Sequence, residues 1–218
     1  ERKPPRRTRE RILELSLRLF NDFGEPNVNT TLIAEEMNIS PGNLYYHFKN
    51  KDDIINCLFQ QFEKEIDRLL RIPSERSANV EDAWLYLHML FELIWKYRFF
   101  YRDLNNLLAN NRTLELEFKQ LMQQKVKVAR TLLEGLKRSG EFTASNAVME
   151  ALATNMVLVA TYWLSYSYVL EPRKLNEPAV MGAALSRGCY QVLALAAPHF
   201  SGASHELFTK LAAEYLKD

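Results

Sequence analysis

Residues 40–51 read Ser40-Pro41-Gly42-Asn43-Leu44-Tyr45-Tyr46-His47-Phe48-Lys49-Asn50-Lys51, and this stretch decides the fold. Ser40 offers a side-chain oxygen to the orphan amides at the start of a helix. Pro41 falls at the first helical position, where its missing N–H costs nothing. Only Leu44 and Phe48, four residues apart, remain to anchor that helix inward. Its other positions carry an amide, two phenols, an imidazole and a lysine. A short helix with two anchors and a polar, aromatic outer face is poor core material and suits a surface that lies against a partner.

The residues before it supply a second helix, Thr30 to Met37, with Asn29 or Thr30 as its cap and Ile33, Ala34 and Met37 facing inward. Asn38 is placed for the left-handed conformation of a tight turn, and Ile39 for an apolar plug. Two short helices joined in this way, the second exposing polar groups, fit a helix-turn-helix. That geometry also occurs in proteins that never meet DNA. Upstream, Thr8-Arg9-Glu10-Arg11 opens a helix with apolar residues at Ile12, Leu13, Leu17, Phe20 and Phe23, ended by Gly24 and Pro26.

Over residues 8–55 this order resembles the TetR family of bacterial transcriptional regulators. The resemblance is carried by Thr8-Arg9, Ile12-Leu13, Leu19-Phe20, Gly24, Ile33-Ala34, the run Ser40 to Phe48, and Lys51. Ser16 stands where the family usually has alanine, Asn38 where its turn usually has glycine, and Asn27-Val28-Asn29-Thr30-Thr31 is shifted from the commoner threonine placement. The resemblance implies an all-α chain with a three-helix DNA-binding head, residues 1–50, and a helical effector-binding and dimerisation body, residues 51–218. It implies a cytoplasmic homodimer that reads an inverted repeat in double-stranded DNA as a regulator, most often a repressor released by a small effector. On the matching positions, Thr30, Thr31, Ser40, Pro41, Gly42, Asn43, Tyr45, Tyr46, His47 and Lys51 are the expected DNA-binding residues. Asn43 and Tyr45, near the helix start, are placed for base edges. Thr31, Tyr46, His47 and Lys51 are placed for phosphates.

Composition agrees with a soluble regulator and excludes other classes. The chain has 218 residues, 47% of them hydrophobic and 25% charged, enough for a sizeable core in one or two domains. Its seven glycines form no phosphate-cradling loop, and neither HExxH, CxxC nor G-x-S-x-G occurs. His47, His88, His199 and His205 have no metal-ligand spacing, so neither a metal, another cofactor nor a catalytic residue is expected. Cys57 and Cys189 read as small buried hydrophobes in a reducing compartment. The net charge is only +1, but Arg2, Lys3, Arg6, Arg7, Arg9 and Arg11 crowd the N-terminus. With Pro4-Pro5 holding its start extended, that arm would follow phosphates or enter a minor groove, unless it is simply a solvated end.

Beyond residue 50 the pattern is helical throughout. A helix over 52–71 carries Ile55, Leu58, Phe59, Phe62, Ile66 and Leu69 on one stripe and joins head to body. Ser74 to Asn79 is the clearest linker, and further helices are expected over 80–97, 100–109, 112–138, 143–170, 178–197 and 203–217. Ala151 to Leu170 contains no charge, long enough for a bilayer, yet Thr154, Asn155, Thr161, Ser165 and Ser167 interrupt it and no basic flank sets a topology. A helix apolar all round is instead expected between a core and a twin. In the family the last two long helices form the dimer contact. Here Ala179, Gly182, Ala183, Ser186, Cys189, Tyr190 and Leu193 would be its small-residue surface. The aromatic density of the body suits an effector pocket, with Trp84, His88, Phe91, Trp95, Met122, Asn155, Met156, Tyr162, Trp163 and Tyr166 as candidates, although for any one of them ordinary core is the better reading. Without a basic cluster, a hydrophobic or aromatic effector fits better than a nucleotide or coenzyme A conjugate.

Overall fold

A computed structural model of the chain describes residues 5–71, 78–174 and 177–215, excepting the side chains of Pro5, Arg6 and Glu214. Arg2 and Lys3 of the basic arm, and most of the expected linker, lie outside the described residues. Among the described residues eleven α-helices follow in order: α1 Pro5–Phe23, α2 Thr30–Glu36, α3 Pro41–His47, α4 Lys51–Leu69, α5 Val80–Lys96, α6 Arg98–Arg102, α7 Leu104–Asn110, α8 Arg112–Arg138, α9 Asn146–Leu170, α10 Pro178–Ala194 and α11 Gly202–Tyr215. Among the described residues there is no strand, only an isolated bridge between Phe142 and Phe200. The chain is all-α, as its pattern predicts.

Several boundaries differ from the sequence reading, each for a local reason. Helix α1 begins at Pro5, so Arg6 and Arg7 are helical rather than part of an extended arm. Proline at the first position of a helix has no N–H to lose. Phe23, expected to face inward, is 59% exposed at the end of that helix. The single helix expected over 100–109 is two, broken at Asp103, whose carboxylate accepts the backbone N–H of Glu25 at 3.0 Å. Helix α9 starts at Asn146 because Ser145 caps it, accepting from the Val148 N–H at 3.3 Å. The residues before it pair with the turn ahead of α11, where Thr143 N–H donates to His199 O at 2.9 Å.

The chain divides into two compact units: residues 1–65 with 97–118, and residues 66–96 with 119–218. The first therefore holds α1–α3, most of α4, α6, α7 and the start of α8, more than the head of residues 1–50. Its three-helix part is closed by Ile12, Leu13, Phe20, Ile33, Leu44 and Phe48. Aromatic rings then weld α4 to the later segment. Phe59 meets Phe100 edge-on at 5.4 Å, and Phe62 lies 5.3 Å from Tyr97 and 6.1 Å from Tyr101, centroid to centroid. Polar groups fasten the same seam. Asn21 accepts from the Phe99 N–H at 3.1 Å, and Arg102 donates to the carbonyls of Phe20 and Asn21 at 3.1 and 3.3 Å, satisfying the open end of α1.

In the second unit α10 packs against both α5 and α9. Gly188 makes that approach possible: a Cβ there would lie 2.7 Å from the Trp163 ring and 2.8 Å from that of Phe91. Trp163 closes the contact by donating its ring N–H to Ala184 O at 2.7 Å. Helix α9 and the segment 178–199 are long and apolar enough to cross a bilayer. On α9, however, Met149, Leu152, Met156, Val157, Ala160 and Leu164 are buried within the protomer, leaving Leu158, Tyr162, Tyr166 and Val169 outside.

Ser16 marks a cost in the first unit. It is 0% exposed, and its hydroxyl has no hydrogen-bond partner. An unsatisfied buried hydroxyl in mid-helix is worse than a methyl group. Ser16→Ala is expected to raise stability by about 1–2 kcal/mol. Urea denaturation of the two proteins, with a midpoint shifted upward for alanine, checks this.

Candidate functional site

The turn between α2 and α3 forms as its residues require. Asn29 caps α2 through Leu32 N–H at 2.8 Å, Asn38 takes φ +54°, and Ser40 caps α3 by accepting from Asn43 N–H at 3.2 Å. Leu44 and Phe48 are 0% and 3% exposed and are the anchors that hold α3 to the first unit. Outward it presents Pro41, Gly42, Asn43, Tyr45 and Tyr46. Tyr46 is 79% exposed, with the half-buried His47 ring edge-on to it at 5.1 Å. Thr31 is exposed on α2, while Thr30 is half-buried and shares a hydrogen bond of 3.0 Å with the Tyr45 hydroxyl. That bond ties the two helices together at the exposed face.

Lys51 is placed differently from the expectation of a phosphate ligand. Its Nζ sits 2.6 Å from Glu25 Oε1 and also donates to Glu25 O at 3.1 Å. The Glu25 side chain is 7% exposed and that of Lys51 29%, so the lysine satisfies a buried carboxylate inside the first unit. Asp103, bound to the Glu25 N–H, and Asn106, donating to Oε2 at 3.4 Å, complete the cluster. The sequence offered no signal for it, because Glu25 reads as part of a turn. Arg9 packs over the Phe48 ring at 4.8 Å and donates to Cys57 Sγ at 3.0 Å. Among the described residues no group of three His, Cys, Asp or Glu is placed to hold a metal.

The second unit contains an apolar cavity of about 40 Å³. Its walls come from α5 (Ala83, Tyr86, Leu87, Leu90), α8 (Lys125, Ala129, Leu132, Leu133, Leu136), α9 (Met156, Val157, Ala160) and α10 with the following turn (Val192, Leu193, Ala196, Phe200). Of the ten pocket residues proposed from sequence, Met156 is the one on this wall. Trp84 and His88 instead bond the Tyr215 hydroxyl of α11, His88 at 2.9 Å. Burial lowers the His88 pKa, with Glu92 opposing. Phe91 and Trp163 pack about Gly188, Trp95 is half-buried, and Met122 accepts from the Thr161 hydroxyl at 3.5 Å. Asn155, Tyr162 and Tyr166 face outward, because α9 turns only one face to its own unit.

The dimer candidates also divide. Ala179, Gly182 and Ala183 are exposed, and Ser186 and Tyr190 are half-buried. Tyr190 stacks on Phe208 at 6.0 Å. Cys189 and Leu193, expected on the partner-facing surface, are 0% and 2% exposed within the protomer and belong to its core. Burial pushes the Cys189 thiol up to about 12, which leaves it inert.

Lys125, which sequence reading passed over, is 4% exposed. Desolvation lowers its pKa to about 7. A signal existed: Leu114, Phe118, Leu121, Lys125, Val128 and Leu132 form one stripe of α8, and a lysine interrupts five apolar residues. Burial also raises the phenol of Tyr86, the other titratable wall residue.

Comparison with known proteins agrees with this geometry. Residues 12–57 match the family model described as bacterial regulatory proteins, tetR family, and residues 61–208 match that described as bacterial transcriptional repressor. A TetR-family transcriptional regulator from Marinobacter aquaeolei VT8 superposes with a TM-score of 0.84 at 36% identity, covering 95% of this chain and 98% of that one. A TetR transcription regulator from Haloarcula marismortui shares the fold, with a TM-score of 0.68 at 14% identity over 90% of this chain and 100% of that one. An HTH-type transcriptional regulator of Staphylococcus aureus (strain USA300) is 38% identical over 92 residues, 42% of this chain; the alignment spans only half the length of that relative. The helix-turn-helix head and helical bundle are those of a DNA-binding transcriptional regulator. The chain belongs to the TetR family.

Two outcomes follow from the buried charges. Lys51→Met leaves the Glu25 carboxylate unpaired and is expected to destabilise the protein by about 1–3 kcal/mol. That lies below the range for fully buried pairs because Lys51 keeps partial access to water. Thermal unfolding reads this, and the salt slope of DNA binding should change by less than the roughly one unit of a direct phosphate contact. For Lys125 the folded pKa lies below the unfolded value of about 10.4, so the unfolded chain binds more protons between those limits. Wild-type stability should therefore rise with pH above 7, relative to Lys125→Met, by about 1 kcal/mol per unit. Parallel denaturation curves at pH 7 and 9 measure the difference.

Proposed function

We propose that the protein is a cytoplasmic, homodimeric repressor that binds an inverted repeat through paired α3 helices and leaves it when a small effector enters the cavity of the second unit. The observation that carries the DNA reading is α3 itself. Leu44 and Phe48 take up its inward face, and Asn43, Tyr45 and Tyr46 stand exposed at its N-terminal half. In helix-turn-helix proteins that half meets base edges in the major groove. Asn43 and Tyr45 serve there as base-edge or methyl contacts, and Thr31, Tyr46 and His47 as phosphate contacts. Lys51 acts through Glu25, as the brace of this surface.

The outer face of α9 and α10 supports dimerisation. Leu158, Tyr162, Tyr166 and Val169 are 52%, 43%, 55% and 76% exposed, and Ala179, Gly182 and Ala183 lie exposed on α10. Apolar stripes of this kind are buried against a second copy in obligate dimers. Effector release requires the effector to bind the DNA-incompetent form more tightly, and a hundredfold loss of DNA affinity needs about 2.7 kcal/mol of such coupling. One observation favours a second reading, an effector-independent architectural or interaction protein that uses the same DNA-binding head: the cavity holds only about 40 Å³.

Tyr46→Ala is expected to weaken binding to DNA fragments selected by the purified protein by about tenfold or more. Unchanged affinity would remove α3 from the interface. Leu158→Arg or Gly182→Arg should give monomers in light scattering at micromolar concentration, since either charge would be buried unpaired. A wild-type monomer under those conditions overturns the dimer. A thermal-shift screen followed by DNA titration separates the two readings of the body: ligands that stabilise without altering DNA affinity support the second.

A further inference from the structure

Two hollows of the second unit share a wall. Besides the cavity of about 40 Å³, the unit carries an open groove of about 260 Å³. The groove runs between the last turn of α4 (Arg68, Leu69), the outer side of α5 and Thr131 of α8. Tyr86 and Leu132 line both hollows. Helical spacing explains the sharing. On α5 the cavity takes Ala83, Tyr86, Leu87 and Leu90, while the groove takes Asp82, Leu85, Tyr86 and Met89. Each set follows the i, i+3, i+4, i+7 spacing of one helix face, and Tyr86 is the position where the two faces overlap. The Tyr86 ring is held by packing. Burial alone raises its phenol pKa, with no hydrogen bond contributing. Rotating the side chain therefore breaks no such bond, in contrast to Trp84, whose ring N–H is tied to Tyr215. On the groove side Leu85 and Met89, one turn apart, are 53% and 40% exposed, which leaves apolar surface beside the partition.

We propose that the cavity and the groove are two halves of one ligand site, divided by Tyr86 and Leu132, and that it takes a rod-shaped, uncharged molecule. Its hydrocarbon end lies in the cavity and its single hydroxyl or carbonyl in the groove. This deepens the effector reading above and rests on it. It also removes the objection of size. Joined, the two hollows reach the lower end of the roughly 300–1,000 Å³ of small-molecule pockets.

The chemistry of the two halves selects the ligand. Apart from Tyr86 and Lys125, the cavity wall carries no polar side chain, so a hydrocarbon end enters without stranding a polar group. The groove carries both signs of charge, Arg68 and Arg71 with Asp82, so an ion of either sign meets its like there. One uncharged oxygen keeps its hydrogen bonds to water or to these groups at the groove mouth. Each methylene that passes the partition into the cavity adds about fourfold in affinity.

The test uses the full chain with 1-hexanol, 1-octanol and 1-decanol, each below its solubility limit. In the wild type, 1-decanol should shift the methyl resonances of Leu133 and Ala160 in the cavity together with those of Leu85 and Met89 in the groove. Affinity should rise along the series by about fourfold per methylene. Decanoate and decylammonium should both bind more weakly than 1-decanol. Tyr86→Ala removes the partition and should tighten 1-decanol by about tenfold, the factor by which a form open a tenth of the time weakens binding. Tyr86→Phe keeps the ring and should match the wild type. If Tyr86→Ala does not fold, the wild-type resonances decide alone. Shifts confined to one hollow, equal affinities along the series, tighter binding of either ion, or weaker binding to folded Tyr86→Ala overturn the proposal. DNA titration separates it from the effector reading. If 1-decanol occupies both hollows but leaves DNA affinity unchanged, the joined site stands and release falls. If 1-decanol releases DNA while shifting the cavity resonances alone, release stands and the joined site falls.

Discussion

The aromatic seam of the first unit is the contact on which the DNA-reading surface depends. Phe59 and Phe62 of α4 meet Tyr97, Phe100, Tyr101 and Phe118, each 2% exposed or less. Helix α3 cannot hold itself, since a seven-residue helix with two apolar anchors is far below the length that is stable alone. Its position is inherited from α2, against which it packs and to which the Thr30–Tyr45 hydrogen bond ties it, and from α4, which begins at Lys51 immediately beyond it. Rings packed edge-to-face resist sliding more than aliphatic chains do, because displacement loses both contact area and the quadrupole geometry. The exposed face of α3 is thereby built on rigid packing.

Buried polar groups show two different solutions to one problem. In the first unit Glu25, Asn21 and Asn111 are nearly inaccessible, and each is bonded: Glu25 to Lys51, Asn21 to the Phe99 N–H, Asn111 to Asn56 and the Leu114 N–H. These bonds fix loop ends and helix starts whose orphan amides would otherwise be desolvated. Lys125 in the second unit is likewise nearly inaccessible. Burial lowers its pKa to about 7, within reach of neutral pH.

Local chemistry was legible in the sequence. Ser40 and Asn29 are caps, Asn38 is left-handed, and Leu44 and Phe48 are the anchors, all as side-chain type and spacing require. The exposed set Asn43, Tyr45 and Tyr46 follows from the same register. The body was less legible. Asn155, Tyr162 and Tyr166 read as pocket residues, and Cys189 and Leu193 as interface, yet the structure exchanges their faces. Helices that are apolar on every side have no polar face to orient them, so periodicity cannot tell which stripe meets the protomer's own core.

What the sequence determined by itself is therefore whatever depends on neighbours along the chain: helix identity, caps, the turn, and the two-anchor character of α3. Only the tertiary structure decided which partners distant residues meet. It paired Lys51 with Glu25, brought residues 97–118 onto α4, and turned Trp84 and His88 toward Tyr215. It also set Lys125 against a cavity built from four helices and the turn at Phe200. The reason is physical. Capping and turn energies act over three or four residues and leave a residue-type signature. Burial of a charge or a ring is settled by the sum of contacts from segments far apart in the chain, and no single segment encodes that sum.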